Sequence, residues 1–191
     1  MNAANQLTML RILLALATFV ALVQDNAPRM HAAALIFFIA AMITDWVDGY
    51  VARNYGQISA FGKVADPIAD KILVLGAFLA LTRHKDLAIP LWGVFLIFAR
   101  EMIIGGIRTL SMIKEGKLLA AERWGKWKMA VQSVCVILMI AVQVVKGYRP
   151  DAPAWLWTLP YPLTVITVLA TWISGILYLK QSRRLIESSW S

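Results

Sequence analysis

Six long apolar runs dominate this sequence, and very few folds accept them. Leu7–Val23 is interrupted only by Arg11, and Ala32–Val51 is apolar until Asp45 and Asp48 near its end. Ala65–Thr82 carries Asp66, Asp70 and Lys71 at its start and nothing charged afterwards. Leu87–Ile113 is broken by Arg100, Glu101 and Arg108, while Met129–Val145 and Ala152–Leu179 hold no charge at all. Each run approaches the ~20 residues that cross ~30 Å of hydrocarbon as a helix. In lipid only a helix or a closed barrel satisfies its own backbone groups, and runs of this length and composition read as helices. With 60% hydrophobic and 16% charged residues among 191, a water-soluble globule is excluded, since such domains are about a quarter charged. Disorder is excluded by the same apolar excess. The connections are short, without repeat or low-complexity tract. The expectation is therefore an all-α, polytopic membrane protein with six transmembrane helices, residues 1–191 forming one domain.

Nineteen basic residues face eleven acidic ones. If Arg29, Arg83, Lys85, Lys146 and Arg149 lie on one side, the other fourteen gather at the opposite side or its helix ends. Basic residues stay in the cytoplasm, so this bias predicts both termini there. The surplus also suits anionic lipid head groups. Split among short loops, it does not make the single basic surface that nucleic acid requires. Trp155 and Trp157 at the outer edge and Trp124 and Trp127 at the inner edge fit an interfacial belt. Met1–Ala27 has an arginine before its apolar stretch, as a signal peptide does, but Asn5, Thr8 and Arg11 form a polar stripe at helical spacing, which favours a retained helix. Cys135, the only cysteine, allows no disulfide and no thiolate metal site; it reads as a small apolar residue against lipid or a neighbouring helix. His31 and His84 are expected in outer loops, solvated.

Four of the eleven acids, Asp45, Asp48, Asp66 and Asp70, fall where predicted spans meet the cytoplasmic interface. Carboxylates at membrane depth are costly and mark function. Asp45 and Asp48 are three apart and Asp66 and Asp70 four apart, so each pair shares a helix face. Gly49 and Ala52 fall on the Asp45 face, while Trp46, Val47 and Tyr50 point elsewhere, which leaves a groove floored by small residues. Pro67 is tolerated in a first helical turn, so the third helix is expected to begin near Asp66. Four carboxylates without partners repel and take up protons. A hard divalent cation resolves that, and an all-oxygen donor set suits magnesium, manganese or calcium rather than zinc.

The stretch Asp45-Trp46-Val47-Asp48-Gly49-Tyr50-Val51-Ala52-Arg53, eight further residues, and Gly62-Lys63-Val64-Ala65-Asp66-Pro67-Ile68-Ala69-Asp70 resembles the signature of the CDP-alcohol phosphatidyltransferases at all eight fixed positions. That resemblance implies a six-helix membrane enzyme, usually a homodimer, moving a phosphatidyl group from CDP-diacylglycerol to an alcohol with release of CMP. It implies one or two Mg2+ ions (or Mn2+) on Asp45, Asp48, Asp66 and Asp70, with Asp70 also the general base on the acceptor hydroxyl. Gly49, Ala52, Arg53, Ser59 and Gly62, with Asn5 and Thr8 at the N-terminus, match the positions that hold the CDP-lipid. Thr44-Asp45-Trp46, Ala99-Arg100-Glu101, Arg108, Gly125-Lys126-Trp127-Lys128 with Gln132, and Asn5 to Arg11 are similar to the bacterial members that use sn-glycerol 3-phosphate; Met129 departs from a position where those members more often have threonine. The implied location is a bacterial cytoplasmic membrane, with the site facing the cytoplasm.

Phosphoryl transfer needs charge neutralisation and an in-line attack. Metals clamp the attacking and leaving oxygens, and Arg53 adds a bidentate phosphate donor. As a base, Asp70 needs either a raised pKa or an acidified substrate hydroxyl. The acceptor phosphate needs cations, and Arg11, Arg100, Arg108, Lys126 and Lys128 are the available set. Arg100, Glu101 and Arg108 project within a ~100° arc of one helix. Lys126 and Lys128 cannot share a face; Lys128 stacks with Gln132. Arg100 with Glu101 also fits a buried structural pair. The same chemistry on phosphatidylglycerol, inositol phosphate or serine is the alternative, with the basic cluster favouring a phosphorylated acceptor. An ion-coupled transporter is the alternative from another class, opposed by aspartates near one interface and by the absence of a repeat.

Overall fold

A computed structural model describes residues 3–25, 27–55, 60–115 and 123–181, the side chains at 3–5, 48–55, 60–64, 110–115, 123–124 and 181 excepted. The described chain is helical: α1 Ala3–Val23, α2 Pro28–Tyr55, α3 Ala60–Thr82, a 3-10 turn Lys85–Leu87, α4 Leu91–Glu115, α5 Arg123–Tyr148, short α6 Ala154–Thr158 and α7 Pro160–Gln181. Prolines set several of the starts, Pro28 and Pro160 each opening a helix where no N–H is missed. Pro160 also divides the last apolar run, so α6 is one short turn of helix before α7 begins. The third helix departs from expectation. It starts at Ala60, and Pro67 lies inside it. The lost backbone bond is tolerable in a membrane helix because neighbouring side chains re-satisfy freed carbonyls.

Among the described residues four stretches are long and apolar enough to cross a membrane: Gln6–Val23, Pro28–Val47, Gly125–Tyr148 and Ala154–Lys180. The remaining long helices, α3 with 23 residues and α4 with 25, are long enough but interrupted by charge. Among those charges are Asp66, Asp70, Arg100, Glu101 and Arg108, the residues singled out above for chemistry.

Contacts within the chain group into two units, Met1–Ile89 with Val136–Tyr161, and Pro90–Cys135 with Pro162–Ser191. In the first, α1 packs against α2 and α3. The buried positions of α1 are Thr8, Arg11, Ala15, Thr18, Ala21 and Leu22; those of α2 are His31, Ala34, Phe38 and Ala41. Both series step by three and four, the spacing of a helix–helix seam. Alanines at 15, 34, 41, 69 and 77 are almost wholly buried and let the backbones approach, as small residues do between helices in lipid.

The far end of that seam corrects the reading of His31, which lies in α2 and is buried, while His84 does sit in a loop, half-buried. His31 is buried, and its Nε2–H donates to the Gln24 carbonyl at 2.8 Å; His84 Nε2–H donates to the Leu22 carbonyl at 2.7 Å. The Gln143 amide nitrogen of α5 reaches both Nδ1 atoms, at 3.4 and 3.0 Å. Each ring Nε2 thus meets a backbone carbonyl and each Nδ1 faces the same Gln143 amide nitrogen. They cap the carbonyls that α1 leaves unpaired at its C-terminus. Around them Arg83 pairs with Asp25, and Lys146 pairs with Asp86 at 2.6 Å beneath the Trp157 ring. The Arg83 guanidinium holds the Asp25 carboxyl below its ordinary range, and the Lys146 ammonium does the same for Asp86.

Two helices of this unit approach closely at Gly147. A Cβ there would lie 2.5 Å from Pro28 Cβ and 3.2 Å from Pro28 Cα, whereas at Gly76 it would meet only Phe19 Cδ2 at 3.9 Å. Gly147→Ala is therefore expected to cost about 1–3 kcal/mol through forced separation of α2 and α5. Gly76→Ala is expected to be neutral or stabilising, since alanine outranks glycine in a helix by ~1 kcal/mol. Melting both variants in detergent checks the pair; equal shifts would refute the close approach at Gly147.

In the second unit, α7 buries Thr164, Thr167, Thr171, Ser174 and Tyr178, again by threes and fours. Gly93 of α4 sits so close to this hydroxyl seam that a Cβ there would be 2.8 Å from Thr164 Cγ2. Cys135 is buried rather than facing lipid.

Candidate functional site

The α1–α2 seam runs directly into the chemistry. One turn past Ala41, the next position of the α2 series is Asp45. The corresponding α1 positions are Arg11 and Thr8, three residues apart on one face. On α3, Asp66 and Asp70 follow one turn apart, with Ala65 and Ala69 beside them buried. Arg11 Nη1 lies 2.9 Å from Asp45 Oδ1 and 3.3 Å from Asp70 Oδ1. Thr8 Oγ1 donates to Asp66 Oδ1 at 2.7 Å. Three carboxylates from two helices are thus gathered on one face of a third.

Burial gives the arrangement a direction. The Arg11 side chain is 0% exposed, while Asp45 keeps 44% and Asp70 27%. The guanidinium is the floor and the carboxylates are the open side. A buried arginine with two carboxylates is a compensated charge rather than a desolvated one. The sequence pattern offers Arg11 as an acceptor-phosphate ligand and Thr8 as a CDP-lipid ligand; here both are engaged with the aspartates. The signal was present, since Asn5, Thr8 and Arg11 share a stripe, but spacing gives a face and not a partner.

The donor chemistry fits an oxygen-seeking divalent cation, as every candidate ligand is a carboxylate. Among the described residues no three acidic or histidine side chains converge on one point as a ready metal cluster. Asp48, one turn beyond Asp45 on α2, belongs to the part of that helix whose side chains lie outside the description, as do Gly49, Ala52 and Arg53. Asn5 on α1 and Gly62 on α3 are in the same position, and Ser59 is outside the described residues. The backbone does establish that Asp45, Asp48, Gly49, Ala52 and Arg53 lie on one continuous helix, α2.

The basic candidates of α4 and α5 belong to the second unit. Arg100 is buried, its Nη1 3.2 Å from Glu101 Oε1 and its Nη2 donating to Ser174 Oγ at 3.2 Å. Lys128 is buried too and pairs with the same Glu101 oxygen. One carboxylate therefore serves two cations. Arg108 sits over the Tyr178 ring, 5.3 Å from its centroid. Of the two lysines, Lys126 is exposed and Lys128 shares a buried face with Gln132. The buried-pair reading of Arg100 with Glu101 describes what is seen. The Glu101–Lys128 pair was not foreseen, because the two lie 27 residues apart on different helices.

The sequence profile of the CDP-alcohol phosphatidyltransferases matches residues 1–177. A CDP-diacylglycerol–glycerol-3-phosphate 3-phosphatidyltransferase of Bacillus subtilis is 35% identical over 167 residues, covering 86% of this chain and 81% of that protein. Proteins of the same name from Mycoplasma genitalium and Cereibacter sphaeroides are 32% and 37% identical, over 85% and 79% of this chain and 77% and 70% of their own lengths. A match running through both aspartate pairs and almost to the end of α7 leaves one assignment: this chain belongs to the CDP-alcohol phosphatidyltransferase family.

Proposed function

We propose that the chain transfers the phosphatidyl group of CDP-diacylglycerol to sn-glycerol 3-phosphate, giving phosphatidylglycerophosphate and CMP. The observation that carries this reading is the gathering of Asp45, Asp66 and Asp70 on one face of α1, in a chain whose relatives are named for that reaction. In this reading Asp45, Asp48, Asp66 and Asp70 hold Mg2+ or Mn2+, one ion or two. When bound, the cation neutralises the donor pyrophosphate and stabilises the leaving CMP. The chain's own residues do the rest. Asp70 accepts the proton of the acceptor hydroxyl as it attacks phosphorus, and the bond to CMP breaks in line. Arg53, with Gly49, Ala52, Ser59, Gly62 and Asn5, holds the CDP moiety. Arg108 takes the acceptor phosphate, with Lys126, Lys128 and Arg100 as the further cations of that pocket.

The membrane topology in this reading is six spans, α1 to α5 and α7, with α3 and α4 crossing although charge interrupts them, Asp70 being paired with Arg11 and Glu101 with Arg100 and Lys128. Both termini and the aspartates then face the cytoplasm of a bacterial inner membrane, the protein acting as one domain and as a homodimer. The bias of Lys and Arg toward one side supports that orientation.

The test is CMP release from CDP-diacylglycerol in mixed micelles with Mg2+, offering glycerol 3-phosphate, inositol phosphate, serine and phosphatidylglycerol in turn. Release that requires glycerol 3-phosphate and stops with EDTA supports the reading. Release with another acceptor keeps the aspartate chemistry and overturns the acceptor. In the same assay Arg108→Ala is expected to raise KM for glycerol 3-phosphate about tenfold or more with little effect on KM for CDP-diacylglycerol, as loss of a binding contact to one substrate does. Equal changes for both substrates would make Arg108 a packing partner of Tyr178 and nothing more.

A further inference from the structure

We infer that Thr8 and Arg11 are positioning residues of the aspartate site, and bind neither phosphate nor nucleotide: together they hold one oxygen each of Asp45, Asp66 and Asp70 and set the spacing at which those carboxylates meet a divalent cation. The inference deepens the proposed function and rests on its metal dependence.

Three observations converge on it. First, Thr8 and Arg11 are 1% and 0% exposed, on the α1 face that packs against α2 and α3. A substrate phosphate arriving from the open side meets the carboxylates of Asp45 and Asp70 before it meets the guanidinium beneath them. Second, the contacts are distributed rather than redundant. Thr8 takes Asp66 at 2.7 Å, and one nitrogen of Arg11 takes both Asp45 at 2.9 Å and Asp70 at 3.3 Å. Each described aspartate of the motif is therefore held from α1, Asp66 by Thr8 and Asp45 and Asp70 together by Arg11, across the helix boundary that separates Asp45 from the other two. Third, the anchors sit in register with the seam, three residues apart and continuous with Ala15, Thr18 and Leu22. Their side chains are fixed by the packing that fixes the helix itself.

The physical effect is preassembly. Carboxylates on two adjacent helices repel, and without compensation α2 and α3 would separate at this end or the acids would bind protons. A guanidinium fixed beneath them supplies a counter-charge with several donors in a rigid fork. It orders the oxygens before a cation arrives, as outer partners of metal ligands do, and removal of such partners typically lowers metal affinity about 10- to 100-fold. Thr8 does the same for Asp66 through a neutral hydrogen bond.

The experiment uses the full chain in detergent and Mn2+ as the probe, with no substrate present. Mn2+ affinity is read by electron paramagnetic resonance and melting is followed in EDTA. Thr8→Val, which keeps shape and loses the hydroxyl, is expected to weaken Mn2+ binding about tenfold with melting in EDTA nearly unchanged. Arg11→Met should weaken it further and lower the melting temperature, and Arg11→Lys should restore part of both, since an ammonium supplies the charge without the guanidinium's reach. At saturating Mn2+, Thr8→Val should leave KM for both substrates near the wild-type values. Wild-type affinity for Mn2+ in Thr8→Val and Arg11→Lys, with a raised KM for either substrate, would overturn the positioning role and return these residues to substrate binding. A wild-type chain that binds no Mn2+ would overturn the metal reading itself, and the two failures are told apart by that control.

Discussion

Asp66→Asn is expected to lower CMP release by about a thousandfold or more, an effect of ~4 kcal/mol on the barrier, while leaving the protein folded. The choice of residue matters. Asp66 accepts a hydrogen bond from Thr8, and an asparagine carbonyl oxygen accepts that bond equally well. What the substitution removes is charge. A neutral amide is a poor ligand for a hard cation, so the loss should fall on metal binding and turnover. Asp45→Asn and Asp70→Asn differ, because each also takes a counter-charge from the buried Arg11. They should lose activity together with some stability, since the wholly buried Arg11 then keeps only one of its two counter-charges, the loss being smaller at Asp45, which is 44% exposed, than at Asp70. Melting curves and CMP release measured on all three variants separate the cases. Wild-type turnover in Asp66→Asn would remove that residue from the site, and a large loss of stability there would mean its negative charge holds the helices together.

How far the sequence carried the argument depends on what kind of information each feature holds. Apolar runs report length and solvent, so the helices and their all-α character were legible. The Asp45 to Asp70 spacing reports which residues share a face, so the pairing of carboxylates was legible as well. Partners across helices were not. Arg11 reads as a cation available to phosphate until α1 is seen packed with Asp45 and Asp70 over it. His31 and His84 read as loop residues because they border the apolar runs. The burial of His31 and the link between the two rings depend on Gln143, more than a hundred residues from His31. The start of α3 failed for a local reason. Proline was assigned to a first turn by its backbone preference, but in an apolar medium the remaining helical bonds outweigh the one it removes.

The second large effect lies in the other unit, at Glu101. Arg100 and Lys128 are both buried and both pair with its Oε1, so Glu101→Gln would leave two cations where one carboxylate had compensated them. Removing one member of a buried ionic group costs about 3–5 kcal/mol, which in a chain of this size is a fall of ~10 °C in melting temperature. Replacing the lysine as well, in Glu101→Gln/Lys128→Met, should recover more than half of that fall. Arg100 then keeps a neutral acceptor at position 101 and the Ser174 hydroxyl, and one charge no longer needs solvation. Failure of the double variant to recover would show that Glu101 acts through shape rather than charge. Glycerol 3-phosphate then distinguishes the roles of Lys128. A phosphate that reaches the lysine replaces the missing anion, and should raise the melting temperature of Glu101→Gln by more than it raises that of the wild type. A lysine that serves only to neutralise Glu101 gains nothing from the ligand, and the two proteins should then respond alike.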